Sequence, residues 1–539
     1  MNNNNTIAIT NLNLFKALRL LFKKGKYKIL YYDNSTPKLL IDLLNKKYHL
    51  QDCSSKVYQE YIESGLKNEK IEKEIFRISY EIASNEVFFN IVEKIANILH
   101  IDRKHIKNAL VKRFIKELRS DIVFVNILKN EYQDSPKYDF WLDNYEIFKK
   151  YYKLQINLIK SNDIKLANML LIIYLSVWPL IIFKFLYNNF IKKCTNKSNI
   201  VLQQKYKKLH GSNAEFLALY RYFKTRDDVI YHCKSRKDTI SKKLVSDEKK
   251  IFTTGDLKIN FTDTLATFSC LIELNYLIIK SELPQKLLFL LYVLSVFKEY
   301  VLTKYIIHNY LAHYFMRIRS DLFLEHPITT GVCELLGCYH IGYEHGAPIS
   351  FNAQYAITDY HLLGVMGKYS MTNIYKEYRE NVIWKILGPI NAEICYDEII
   401  NKDKNKIIAV IADYYIYPWG VQPYESYFND LFIPIVDYFK FKKNIKIICR
   451  FKINKRQGRG QHARKLCDQH GIKCDIEYSA DNKNSNGNSS FLFKKSDIVI
   501  IGGPSTSFCE NLALKKKIIV FPYKFSDHPL CHFKPNLIV

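Results

Sequence analysis

The sequence predicts an α/β protein built on parallel sheets and interrupted by a large, mainly helical insertion. Three observations predict it. Apolar runs of strand length alternate with turns and helical segments toward the C-terminus. A strand, a polar turn and a helix follow one another near the N-terminus. Between these regions, charged and apolar residues recur at helical spacing over a long stretch.

The N-terminal unit is YKILYYD at 27–33, rich in β-branched and aromatic residues, then Asn34-Ser35-Thr36-Pro37 as turn and cap, then KLLIDLLNKK as a helix. Tyr27 to Leu43 is thus expected to open a Rossmann-like domain. From 50 to about 250, segments such as KIEKEIFRISYEIASNEVFFNIVEKIANILH read as helix, and little resembles a βαβ unit. Asp228, Asp247 and Asp256 lie in ordinary polar context and receive no role.

Two apolar stretches stand out. Residues 165–187 carry only Lys184 as a charge between Leu166 and Tyr187, and Pro179 would kink a helix there. A monotopic or re-entrant insertion is the preferred reading, with a buried core helix and a true span as alternatives. The second stretch, 286–299, is too short to cross a bilayer.

After Arg319, glycines punctuate short apolar runs at 331, 337, 342 and 346. Lys406 to Asp413 reads as a strand, 426–443 as an amphipathic helix, 444–452 as the next strand and KCDIEYS as another. Residues 480–490 read as a linker. SDIVIIGGPSTSFCENLALKKKIIVFP then forms a strand, glycine turn, helix and strand. Residues 405–525 are therefore expected to be a compact α/β domain. The expected division is 1–49 as the start of an N-terminal Rossmann-like domain, 50–310 as the helical insertion with possible membrane association, 311–400 as the rest of the N-terminal domain, and 401–539 as the C-terminal domain.

A formal charge of +27 implies attraction to polyanions. Nucleic acid is disfavoured, because no zinc-finger spacing, RNP-like run or long basic tail occurs. Lysines interleaved with apolar segments, as at 180–210, fit an anionic membrane surface, with a generally solvated lysine surface as the alternative. Twelve cysteines without a CxxC pair, and an N-terminus without secretory signal order, favour a reducing, cytoplasmic setting at the inner face of the membrane.

Chemistry is concentrated where a buried strand runs into Gly502 and Gly503, then Ser505, Thr506 and Ser507, then a helix carrying Glu510. The glycines let backbone N–H groups approach a ligand, and the hydroxyls sit where a helix start attracts phosphate. Glu510 is placed to meet ribose or sugar hydroxyls. The alternative is a capped helix, with Ser505 or Ser507 as N-cap and Glu510 as capping-box partner. The segment is neither G-x-G-x-x-G nor a Walker sequence. Upstream, Glu344-His345-Gly346 offers a histidine at a strand end, suited by its ordinary pKa to remove a hydroxyl proton; a turn histidine is the alternative. Asp359 is a partner to orient His345 or shape the cleft, and Glu325-His326-Pro327 is a second candidate. Arg450 and Lys452 end a strand and are placed to neutralise a diphosphate, while Arg456 and Arg459 read as a loop. No histidine–acid spacing suits zinc, and no metal is expected.

Taken together, these residues resemble a GT-B glycosyltransferase. More narrowly, they are similar to bacterial surface-polysaccharide enzymes related to CDP-glycerol glycerophosphotransferases and to Kdo or sialic-acid transferases. The resemblance covers roughly 320–525, plus 27–45. It implies two Rossmann-like domains facing a cleft, with His345 of His345-Gly346 as general base, and Asp359 and Gly364 as a further matching pair. Asp497, Gly502, Gly503, Ser505, Thr506, Ser507 and Glu510 match the C-terminal motif, followed by Leu512 to Pro522 as helix, strand and proline. The implied reaction is inverting and metal-independent, from a CMP-, CDP- or UDP-linked donor to a glycan or lipid-linked acceptor. The helical region 50–310 is not a standard part of such enzymes. A nucleotide-sugar epimerase or phosphotransferase, and a non-catalytic membrane-associated scaffold, are the alternatives.

Overall fold

The computed structural model describes residues 6–12, 14–25, 27–34, 36–53, 66–131, 138–142, 157–158, 200–203, 219–220, 222–233, 251–253, 261–280, 286–318, 326–344, 353–368, 371, 382–393, 407–412, 432–439, 442, 444–451, 459–471, 474–478, 489–501 and 506–520. The apolar stretch 165–187 and most of the 480–490 linker lie outside the described residues.

The first sheet runs β1 (Thr6–Leu12), α1 (Leu14–Phe22), β2 (Lys28–Asn34), α2 (Lys38–Lys47) and β3 (His49–Asp52), and returns as β4 (Tyr138–Trp141) and β5 (Asn157–Leu158). All pairs are parallel, in the order β3-β2-β1-β4-β5. Ile7 and Ile9 of β1 alternate onto one face and pack with Ala17, Leu20, Ile29 and Leu44. The Tyr48 hydroxyl lies 2.7 and 2.6 Å from the carbonyls of Leu20 and Lys23, which closes the C-terminal end of α1.

Helices Leu66–Ser84, Glu86–Leu99 and Arg103–Glu131 pack together between β3 and β4. Asn85 caps the second through its side chain, and left-handed His100 (φ 54°) ends it. A buried ion pair joins Glu72 to Arg119. The Tyr292 hydroxyl donates to the Ile106 carbonyl at 2.9 Å and ties a later helix to this layer.

The second sheet has seven parallel strands. These are β6 (Ile200–Gln203), β7 (Val229–Cys233), β8 (Ile251–Thr253), and, beyond helices Phe261–Lys280 and Lys286–Tyr310, β9 (Tyr314–Ile318), β10 (Tyr339–Tyr343), β11 (Leu362–Val365) and β12 (Ile383–Ile386). Its order is β12-β11-β10-β9-β6-β7-β8. Helix His326–Leu335 makes the crossover from β9 to β10, and helix Ile390–Glu393 follows β12. The third sheet holds β13 (Ile407–Ala412), β14 (Ile445–Phe451), β15 (Cys474–Tyr478), β16 (Ile498–Ile501) and β17 (Lys517–Val520), in the order β15-β14-β13-β16-β17. Helix Ile433–Phe439 and helix Arg459–Gln469 cover one face; Ser489–Lys495 and Thr506–Ala513 cover the other.

Parallel α/β sheets with helical regions are what the sequence predicts, but the strands are shared out differently. Residues 1–49 were expected to join 311–400 in one domain; among the described residues, β1–β3 pair with β4 and β5, while β9–β12 pair with β6–β8. Helices dominate the described residues of 50–310, and β4 to β8 also fall within it. Each is only two to five residues long, too short for alternation to show in a sequence window. The chain forms two compact units: Met1–Asn188 with Asn260–Glu299, and Asn189–Ile259 with Tyr300–Val539. The second unit contains two Rossmann-like domains, one on each of its sheets. No described helix is long and apolar enough to cross a membrane.

Candidate functional site

The third sheet dictates where a ligand can sit. With the order β15-β14-β13-β16-β17, successive connections leave β13 in one direction and then reverse to reach β16. Open α/β sheets bind ligands at the carboxyl ends of the two strands flanking that reversal. Ile501 is the last residue of β16 and pairs with Ala412, the last residue of β13, which in turn pairs with Arg450. β16 therefore ends at the reversal point of the sheet. Gly502, Gly503 and Ser505 themselves lie outside the described residues. Thr506 opens the following helix, and Ser507 is half-buried in its first turn. The Ser507 carbonyl accepts from Asn511 Nδ2 at 2.7 Å.

Arg450 is buried at the end of β14. Its neighbours Ile447 and Cys449 face one core, whereas Ile448, Val410, Val499 and Ile501 face the other. Strand alternation places Arg450 with the second set, on the face covered by Ser489–Lys495 and Thr506–Ala513. Glu510, also buried, belongs to that helix layer, and its Oε2 accepts from Ser490 Oγ at 3.2 Å. Two strand spacings, about 10 Å, separate the ends of β14 and β16. Lys452 and Arg456 lie outside the described residues, and Arg459 opens a helix where a loop was expected.

Asp497, part of the matched C-terminal motif, lies at the opposite edge. It precedes β16, its Oδ2 accepts from the Ile408 amide at 2.8 Å, and its own amide donates to the Ile408 carbonyl at 2.8 Å. This double link sets the start of β16 against β13 and leaves Asp497 a full strand length from the end of β16 at Ile501.

The second sheet contributes its own carboxyl edge. Glu344 follows β10 and is fully buried; its Oε2 accepts from the Met366 amide at 2.7 Å, just beyond the end of β11. The Glu344 carboxylate is also close enough to Cys509 to act on it electrostatically. The edge of the second sheet thus lies near helix Thr506–Ala513. Burial, and then Glu344 and Glu510, push the Cys509 thiol up to about 12. A second link runs through Tyr343, whose hydroxyl donates to the Gly388 carbonyl at 2.6 Å and accepts from the Ile390 amide at 3.1 Å. The helix begun by Ile390 packs against Thr506–Ala513.

His345 and Gly346 lie outside the described residues. Asp359 is buried in the segment that enters β11 at its amino end. There its amide donates to His326 Nε2 at 3.3 Å, and its carbonyl accepts from the Thr330 hydroxyl. His326 stacks on Tyr360 with ring centroids 4.6 Å apart and the planes 8° from parallel. The second-choice base is therefore a packed histidine whose Nε2 lone pair is already used. A Cβ at Gly364 would press on the end of the Leu387 side chain, which would have to shift. Sequence reasoning passed over Glu344 and Cys509. The only signal in the sequence was a glutamate directly before His345.

Among the described residues, no group of three or more His, Cys, Asp or Glu side chains is placed to hold a metal ion. No family model matches the chain, and no curated protein does. Solved structures similar to it include a glycosyltransferase from Rickettsia africae, 15% identical over 60% of this chain and 79% of that one, with a TM-score of 0.36. A UDP-GlcNAc 2-epimerase from Neisseria meningitidis, bound to UDP-GlcNAc, is 12% identical over 60% and 82%, with a TM-score of 0.37. A wall teichoic acid polymerase is 12% identical over 68% and 80%, with a TM-score of 0.36. The fold class rests on the strand orders themselves: two Rossmann-like domains of parallel sheet with helical regions, consistent with a GT-B-like cleft fold.

Proposed function

We propose that the chain transfers a sugar, or a glycerol-phosphate-like group, from a nucleotide-activated donor to a glycan or lipid-linked acceptor in surface-polysaccharide biosynthesis, at the inner face of the membrane. The observation that carries this reading is that β16 ends, directly before Gly502 in the sequence, at the reversal point of the third sheet, with Arg450 and Glu510 buried on the adjoining face. In this reading, amides and hydroxyls from Gly502 and Gly503 through Ser505, Thr506 and Ser507 hold the donor phosphates. Arg450, with Lys452, offsets the charge that develops on the leaving nucleotide. Glu510 holds sugar or ribose hydroxyls.

His345 is the base that removes the acceptor's proton, as the resemblance implies, and reaction proceeds with inversion and without a metal. Glu344, next in the chain, pins the base of that segment to the end of β11. Asp359 acts from the far end of β11 as part of the packing beneath the acceptor side.

The test is calorimetric titration of the full chain with CMP, CDP, UDP and GDP and their sugar conjugates. Saturable binding to one nucleotide, weakened at least about tenfold by Ser507→Ala with Glu510→Gln, is the expected result. Urea melts run on the same variant show that it is folded. Absence of nucleotide binding by the wild type overturns the reading in favour of a non-catalytic scaffold. Binding with sugar epimerisation, and no transfer to any acceptor, favours an epimerase.

A further inference from the structure

The first unit carries an apolar stripe pair that the transferase reading does not use. Helices α1 and α2 connect successive neighbouring strands, β1 to β2 and β2 to β3, so both lie on one face of the first sheet, side by side and parallel. Their inward sides pack through Ala17, Leu20 and Leu44. Leu18 and Phe22, one helical turn apart on α1, are nevertheless 38% and 85% exposed, and Leu39 and Leu43, one turn apart on α2, are 73% and 42% exposed. The stripe on α2 continues one more turn to Lys47, whose Nζ reaches across to the Leu21 carbonyl of α1 at 2.5 Å. The exposed leucines of α2 therefore border α1, and the two stripes line one groove between the helices.

Charge identifies the occupant. Residues 14–48 contain nine lysines and arginines against two aspartates. Lys24, Lys46 and Lys47 are exposed beside the C-terminal ends of the two helices, around the tip where Phe22 projects. An apolar strip rimmed by lysines matches a bilayer interface, in which side chains enter the acyl boundary while ammonium groups meet anionic headgroups. A second copy of the chain is a poorer match, because a two-fold contact through this face would set like-charged rims against each other.

We infer that the α1–α2 face is where this chain docks on an anionic lipid surface, with Phe22 and Leu39 inserted and Lys24 and Lys46 on the headgroups. The inference deepens the membrane contact in the proposed function and rests on that reading for the reason a membrane is present. The full chain should cosediment with vesicles of phosphatidylcholine mixed with phosphatidylglycerol, and weakly with phosphatidylcholine alone. Phe22→Ser with Leu39→Ser should weaken binding to the mixed vesicles by at least about tenfold. Lys24→Glu with Lys46→Glu should weaken it by more than about fivefold per lysine, and more steeply at low salt. All four side chains are exposed, and circular dichroism with urea melts confirms the fold of each variant.

Undiminished binding by both variants, or equal binding to neutral and anionic vesicles, overturns the inference. So does self-association that the serine pair abolishes while lipid binding persists, because the groove then belongs to a second copy. Nucleotide titrations on the same variants keep the two proposals separate. Intact nucleotide binding with lost lipid binding supports the docking face, and unchanged lipid binding refutes it whatever the nucleotide result.

Discussion

Cys509 is a thiol flanked by two carboxylates on a half-buried helix face. Burial is the first cause of its raised pKa, about 12 against an ordinary 9.0, and the charges of Glu344 and Glu510 add to it. In the unfolded chain the thiol ionises near its ordinary value, while in the folded chain it keeps its proton until about pH 12. The unfolded state therefore holds fewer protons through that window, and stability falls as pH rises from 9.0 to about 12. Cys509→Ala should flatten this alkaline loss relative to wild type, as read from urea midpoints across the window. Tyr231, raised by burial from 10.0 to about 12, acts in the same direction in both proteins and cancels from the comparison. A parallel pH dependence in wild type and variant would show that burial and the two carboxylates do not raise the thiol's pKa. At this scale the sequence was a poor guide. The setting of Glu344 depends on Met366 and Cys509, which are brought close only by the fold.

Elements were more legible, and unevenly so. β13 and β16 are continuous Ile, Val and Ala runs because both of their faces are covered by helices, and such runs stand out in any window. β4 to β8 expose no comparable run and passed unseen. The β16 unit also shows how a residue can sit in the right motif for another reason. Asp497 was grouped with the glycine turn by resemblance, yet its carboxylate serves the Ile408 amide at the amino edge of the sheet. Asp497→Ala should cost about 1 kcal/mol of unfolding free energy by leaving that amide without its side-chain acceptor. Nucleotide affinity should stay within about twofold of wild type, since the unaltered β13–β16 pairing still ends β16 at the carboxyl edge. A large affinity loss at unchanged stability would return Asp497 to the site.

At the scale of the molecule, the hidden information is which strands share a sheet. Nothing local distinguishes a β1–β3 segment that closes on β4 and β5 from one that waits for strands near 320, because both need the same alternation and the same crossover length. The answer lies in long-range packing, and the first unit makes that testable. It is discontinuous, Met1–Asn188 with Asn260–Glu299, so its helical layer is completed by segments that follow β6 to β8 in the chain. Leu271, Leu274, Ile278, Tyr292, Val293 and Val296 are all buried on those returning helices. Removing them withdraws apolar burial worth roughly 1.5–3 kcal/mol per large side chain and also deletes the Tyr292 bond to Ile106. Residues 1–188 alone should therefore lack a cooperative unfolding transition. The same fragment joined by a flexible linker to 260–299 should regain one, with slow amide exchange returning along Arg103–Glu131. A cooperative transition in the short fragment, unchanged by adding the second segment, would show that the first sheet and its helices need no returning chain to complete their core.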